Sequence, residues 1–230
     1  MARLAHLSTS YFDCTFRHIT GIPPVQFLYA LRIEAAKRLL LTTTLSVIDV
    51  CYEVGYNSIG TFTSRFTRLV GVSPRQFRYL AESLDDRYLE SLVSQAFDNI
   101  NPAAASSFVT GQIIAPHPFE SLIFVGLFPT PIPQSRPLAG TLSKSAGPYY
   151  IEPVHRNRSY VFAATFPGVK DHLSYFLPDP ASSLVGVGVR PVTANHEEPV
   201  DVPLRTLQLT DPPLLLALPV ILMEAVGRKL

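Results

Sequence analysis

The side chains able to do chemistry in this 230-residue chain are few and scattered. His117, His155, His172 and His196 fall in separate segments, none at metal-ligand spacing, and His117 with Glu120 is the closest to a shared site. His196-Glu197-Glu198 before Pro199 reads as a solvated turn. Cys14 and Cys51 form neither a C-x-x-C metal motif nor a disulfide framework. Gly186-Val-Gly188 lies inside a strand pattern, so it is no phosphate-cradling loop. No catalytic constellation, metal or cofactor is expected, and the chain does not read as an enzyme. What remains is a polar stripe on one short helix. If Phe62, Phe66 and Leu69 point inward at i, i+4, i+7, then Gly60, Ser64, Thr67 and Arg68 face outward.

That helix belongs to an internal repeat. Shifting the sequence by 50 residues superposes Ser8 on Ser58, Phe12 on Phe62, Phe16 on Phe66, Gly21 on Gly71, Pro24 on Pro74, Gln26 on Gln76 and Phe27 on Phe77. Seven identities in 24 ungapped positions exceed the one or two that chance supplies. In the second copy Ser46 and Asp49 form a capping box before a helix with Val47, Val50, Cys51 and Val54 on one face. Gly55 supplies a left-handed turn, Ser58 caps the next helix, Gly71 ends it, and Ser73-Pro74 starts another. Helix, glycine turn, helix is the helix-turn-helix plan, whose second helix enters the DNA major groove. Between the copies, Pro23-Pro24 opens a helix to about Thr42, expected to bury Phe27, Leu31, Ala35 and Leu39 and to act as a strut.

Residues 1–82 resemble the DNA-binding domain of AraC/XylS-type transcription regulators, two helix-turn-helix units joined by a long helix. The resemblance rests on SYFDCTFRHITGIPPVQFLYALRIEAAKRLL and, more specifically, SVIDVCYEVGYNSIGTFTSRFTRLVGVSPRQFR. It implies that Ser10, Asp13 and Cys14 read bases in one groove, and Ile59, Gly60, Thr61, Thr63 and Ser64 in the next. Arg17, His18, Arg65 and Arg68 would then serve phosphates. Three departures stand out. Cys14 and Ser64 occupy positions where the family usually has arginine, a bidentate guanine reader. Asp13 repels phosphate, though it could accept from a cytosine amino group. The chain also begins about a helical turn or more too late for the first helix of unit one, which is expected to be clipped. Cys14 itself reads as an exposed thiol rather than a redox sensor.

Composition divides the chain at the same place. Residues 1–84 carry nine basic against five acidic side chains (+4), and the rest carries ten against thirteen (−3). Only three of the 21 prolines fall in the first part, so the second cannot be mostly helical. Residues 83–107 are expected to hold a connecting helix, spaced at Leu84, Tyr88, Leu92 and Phe97, then the linker NPAAASS. From Phe108 the runs FVTGQIIA, SLIFVGLF, PYYIE, SYVFAATF, LVGVGVR and VDVPLRTLQL predict an antiparallel β-sandwich over 108–230. Their order weakly resembles transthyretin-like or carboxypeptidase-regulatory-like sandwiches, from which no function transfers. The proline-rich FPTPIPQSRP, 128–137, either terminates a strand or walls a pocket. The tail DPPLLLALPVILM is expected to pack as a final strand or against a second subunit.

The fold class expected is therefore multidomain, α then β. The functional expectation is a sequence-specific DNA-binding transcription regulator whose partner is double-stranded DNA. Its sandwich would sense a small-molecule or protein effector, dock a partner or form a homodimer. The alternative is an enzyme or docking module targeted to DNA. MARLAHLSTSYFD has no apolar core for a secretory signal, and the longest apolar run, Leu214 to Met223, is half of the ~20 residues a membrane span needs. A cytoplasmic, reduced setting follows.

Overall fold

The computed structural model describes residues 2–98, 109–119, 121–134, 136–152, 158–167, 172–179, 181–188, 190–193 and 198–227. The expected linker at 101–107, together with Glu120, His155, His196 and Glu197, lies outside these. Six helices come first: α1 Thr9–Thr20, α2 Pro24–Thr42, α3 Val47–Glu53, α4 Ile59–Val70, α5 Pro74–Ser83 and α6 Asp86–Asp98. Local chemistry sets their ends. Ser46 and Asp49 close a reciprocal cap on α3, and Ser73 with Gln76 does the same for α5. Gly21 and Gly71, at φ 77° and 102°, end α1 and α4 in the left-handed region that β-carbons resist. The C-terminal carbonyls of α2 are taken up from α5, where Arg78 Nε donates to Leu40 O at 2.9 Å.

The strut buries a different face from the one expected. Phe27, Ala30, Ile33, Ala36, Lys37 and Leu40 are buried, while Leu31 is 42% exposed and Ala35 is exposed. The expected row stepped by four each time, and four residues turn 400°, so such a row drifts around the helix. The observed stripe mixes steps of three and four and stays on one side.

The β region forms two sheets. One has order β4-β1-β7, from Gly147–Ile151, Val109–Ile114 and Val202–Pro203. The other has order β3-β2-β5-β6-β8, from Ala139–Ser143, Ser121–Phe128, Tyr160–Pro167, Leu184–Val187 and Arg205–Thr206. The pairing is not wholly antiparallel, because β1 and β7 run parallel, Ile113 beside Val202. Nearly 90 residues separate them, ample for the crossover a parallel pair requires. Strand β3 was not foreseen. The run VDVPLRTLQL divides, its first strand joining one sheet and its second the other, with buried Leu204 between.

Strand β2 is buried on both faces, and its alternation separates two environments. Ile123, Val125 and Leu127 join Val109, Ile113, Tyr149, Ile151 and Val202 in a cluster drawn from both sheets. There the backbones approach closely: a β-carbon on Gly111 would lie 2.1 Å from Val200 O, so only glycine fits. Leu122, Phe124 and Phe128 point the other way, into a cluster shared with Ile33, Phe62, Phe66, Phe77 and Leu92. The helices and the larger sheet thus share one continuous core. Two residues from the β region reach equivalent places in the repeat. Phe176 packs edge-on to Phe77 at 5.5 Å in unit two, and Ile132 of the proline-rich segment is buried with Ile22 and Phe27 in unit one.

The tail does not form the expected final strand. Leu214–Ala217 runs buried without strand pairing, and Leu218–Ala225 forms a seventh helix, α7, beside α6. The reason is the partner its backbone finds. The Lys37 ammonium, fully buried on α2, donates to the carbonyls of Leu214, Leu215 and Leu216 at 3.2, 3.3 and 3.2 Å. Three donors meet three consecutive acceptors that would otherwise need a neighbouring strand. No helix among the described residues is long and apolar enough to cross a membrane.

Candidate nucleic-acid interface

The second unit builds its second helix, α4, from the turn outward. Gly55, at φ 83°, lets the chain reverse after α3, and Tyr56 N donates to Cys51 O at 3.0 Å to close the turn. Cys51 is wholly buried there, and burial pushes its thiol pKa up. Ser58 then accepts from Thr61 N at 3.4 Å, capping α4. Phe62 and Phe66 are completely buried, with Phe66 edge-on to Phe77 at 5.6 Å. Anchored this way, α4 cannot roll, and the opposite side is presented as a fixed surface. Gly60, Ser64, Thr67 and Arg68 are exposed on it, as the period predicts, and Ile59 and Thr61 in the first turn of α4 are exposed as well. Thr63 is half-buried at the edge, and its carbonyl accepts from the Thr67 hydroxyl at 2.8 Å.

Arg65 sits elsewhere. It is half-buried, with its guanidinium carbon 3.4 Å from the centre of the Tyr29 ring on α2. Burial pulls its pKa down, but hydrogen bonding to Tyr29 and Tyr56 outweighs that and raises it. The Tyr56 hydroxyl is buried without a well-directed hydrogen bond, so Tyr29 is the firmer partner. A guanidinium over the face of a phenol is held in place by cation–π attraction. The structure therefore places Arg65 in the packing between the strut and α4. The sequence reading missed Tyr29, because 36 residues separate it from Arg65 and only the α2–α4 crossing brings them together.

The first unit is built to the same plan with less support. Ser8 caps α1 by accepting from Tyr11 N at 3.3 Å, and Phe16 meets Phe27 edge-on at 5.4 Å, as Phe66 meets Phe77. No residue of α1 is buried, however, and Phe12 and Phe16 are only partly covered. Residues 2–6 form turns, so no described helix stands where α3 stands in unit two. Ser10, Asp13, Cys14, Arg17 and His18 are all exposed on α1. Arg17 and His18 lie in its last turn, where cations also favour the helix dipole.

Of the scattered histidines, His172 lies 3.5 Å from Asp86 at the start of α6, and His117 packs edge-on to Phe119 at 6.5 Å. Among the described residues no group of three His, Cys, Asp or Glu is placed to hold a metal.

Comparison with known proteins agrees with the repeat. Residues 1–79 match the family described as a helix-turn-helix domain. Over 78 residues the chain is 31% identical to the HTH-type transcriptional regulator YobQ of Bacillus subtilis and 33% identical to the RCS-specific HTH-type transcriptional activator RclR of Escherichia coli. Each match covers 34% of this chain, but only 32% and 28% of the relative. The chain thus matches about a third or less of the length of these curated relatives. Among solved structures, it is similar to the DNA-binding domain of AdpA in complex with a target DNA. That likeness has 37% identity and a TM-score of 0.34, over 36% of this chain and 76% of that one.

Proposed function

With residues 1–79 forming a helix-turn-helix domain of the AraC type, we propose that this protein is a sequence-specific DNA-binding transcription regulator. It reads two successive major grooves of double-stranded DNA with α1 and α4. The observation that carries the reading is the two-sided build of α4. Phe62, Phe66 and Leu69 are locked in the core, while Gly60, Thr61, Ser64, Thr67 and Arg68 stand exposed on the other side. Thr61 and Ser64 offer hydroxyl donors and acceptors to base edges, Gly60 lets the helix approach closely, and Arg68 meets a phosphate. Unit two is the stronger reader, because unit one presents Asp13 and is only partly packed.

The finer features of the reading follow from the same elements. The β region serves as a sandwich-type module for sensing or self-association. Its support is the apolar cluster contributed by both sheets and the core that the larger sheet shares with the helices. The functional division falls at 1–82, 83–107 and 108–230. A cytoplasmic setting suits a protein whose partner is DNA.

Selection of bound duplexes from a random pool, followed by hydroxyl-radical footprinting of the winner, tests the reading. Protection of two grooves with centres about 34 Å apart is the expected result. Failure to enrich any sequence overturns sequence-specific binding, and protection of one groove removes α1 from the interface.

A further inference from the structure

Behind the reading helices, a cavity of about 210 Å³ opens between α6, α7 and the β2–β3 pair. Ala96, Phe124, Leu142, Ile221 and Leu222 supply apolar walls. One ionisable group lines it among the described residues, the Glu224 carboxylate. Its Oε1 atom is shielded from solvent and lies 2.7 Å from Arg136 Nη2, yet it receives no well-directed hydrogen bond. The ion pair is close but misaligned, so the shielded oxygen is held by charge and not by a well-directed N–H. Such an atom is costly unless a donor reaches it.

Size and charge together define what would fit. An apolar cavity of about 150 Å³ accommodates benzene, and drug-sized sites begin near ~300 Å³. This cavity therefore suits a single ring with a short arm. An anion would meet Glu224 unfavourably, and a neutral ring leaves Oε1 short of its donor. An ammonium supplies both the charge and up to three directed donors. Arg136 can swing away into solvent, since its side chain is 58% exposed, and an ammonium then takes over the charge on Glu224.

We propose that this cavity binds a small amine carrying one apolar ring, with its ammonium on Glu224 in place of Arg136. The site also adjoins the DNA-reading surface. A β-carbon on Gly71, the residue ending α4, would lie 3.7 Å from Val220 Cγ1 of α7 and 3.9 Å from Arg136 Cγ. Arg136 further lines a groove of about 400 Å³ with Arg68, Gln26, Tyr29 and Thr130. Displaced from Glu224, the Arg136 cation adds to the positive potential beside Arg68, which strengthens attraction for the DNA backbone. This coupling, though not the site itself, rests on the DNA-binding reading.

Calorimetry on the full chain at neutral pH, with benzylamine, benzyl alcohol and benzoate as probes, tests the site. Benzylamine should bind saturably at one per chain, about tenfold or more tighter than benzyl alcohol, with benzoate weaker still. Glu224→Gln should abolish the preference for the amine, and Ala96→Leu should block the cavity to all three. Arg136→Ala should tighten benzylamine binding by removing the competing cation, an effect that a merely structural ion pair would not produce. Circular dichroism identifies any variant that fails to fold. Absence of saturable benzylamine binding, equal binding of the alcohol, or weakening by Arg136→Ala overturns the proposal. On the selected duplex, benzylamine should raise DNA affinity. An unchanged affinity overturns the coupling and leaves the site standing. Amine binding by a chain that selects no DNA overturns the DNA reading alone.

Discussion

Replacing Lys37 by methionine should remove a specific pH dependence from the stability of this protein. The ammonium is fully buried between α2, the Phe77 ring at 5.8 Å and the Leu214–Leu216 backbone. Burial lowers its pKa from 10.5 to about 7, with nearby Glu34 opposing the shift. Above the unfolded pKa both states are neutral, and below the folded pKa both are charged. Between the two, the unfolded chain holds a proton that the folded chain lacks, so stability rises with pH by up to ~1.4 kcal/mol per unit. From pH 7.5 to 9.5, the two pKa values give a gain of roughly 2 to 3 kcal/mol. In Lys37→Met that gain vanishes, leaving a pH-independent offset. Relief of the buried polar amine is then set against the loss of its N–H donors to the carbonyls, each worth about 1 kcal/mol. The assay is urea unfolding of both proteins at several pH values across this window, read as the difference between them, so that other titrating groups cancel. If the curves run parallel within ~0.5 kcal/mol, Lys37 titrates normally and the lowering of its pKa by burial is wrong.

Three further outcomes follow from the same geometry. Arg68→Ala should weaken DNA binding more than Ser10→Ala in a fluorescence titration, and the reverse ranking would make α1 the main reader. Ile132→Ala should destabilise by about 2 kcal/mol, the low end for a buried isoleucine in so small a cluster. Hydrogen exchange should then speed in α1 and the start of α2 while α4 is unaffected. The +4 charge of residues 1–84 suits about four to six phosphate contacts, so log K against log salt should slope near −4 to −5. A slope twice as steep for the full chain would mark a dimer on the DNA.

The sequence alone determined whatever depends on neighbours within a turn or two. The 50-residue repeat, the Ser46–Asp49 cap, the Gly55 and Gly71 turns and the outward stripe of α4 were all legible, because capping, glycine conformation and helical period are local physics. The strands were legible as apolar runs, SLIFVGLF most sharply, since β2 follows its bounds residue for residue. Only the tertiary structure decided how these pieces meet. Arg65 lies on Tyr29 because α2 crosses α4, and β1 takes β7 as a parallel neighbour because two distant segments meet at one edge. The tail became a tether and a helix because its carbonyls found Lys37, 177 to 179 residues away in the chain. Each such contact joins groups whose separation in sequence carries no periodic signal. Its stabilisation comes from burial, which no residue has until the whole core has closed.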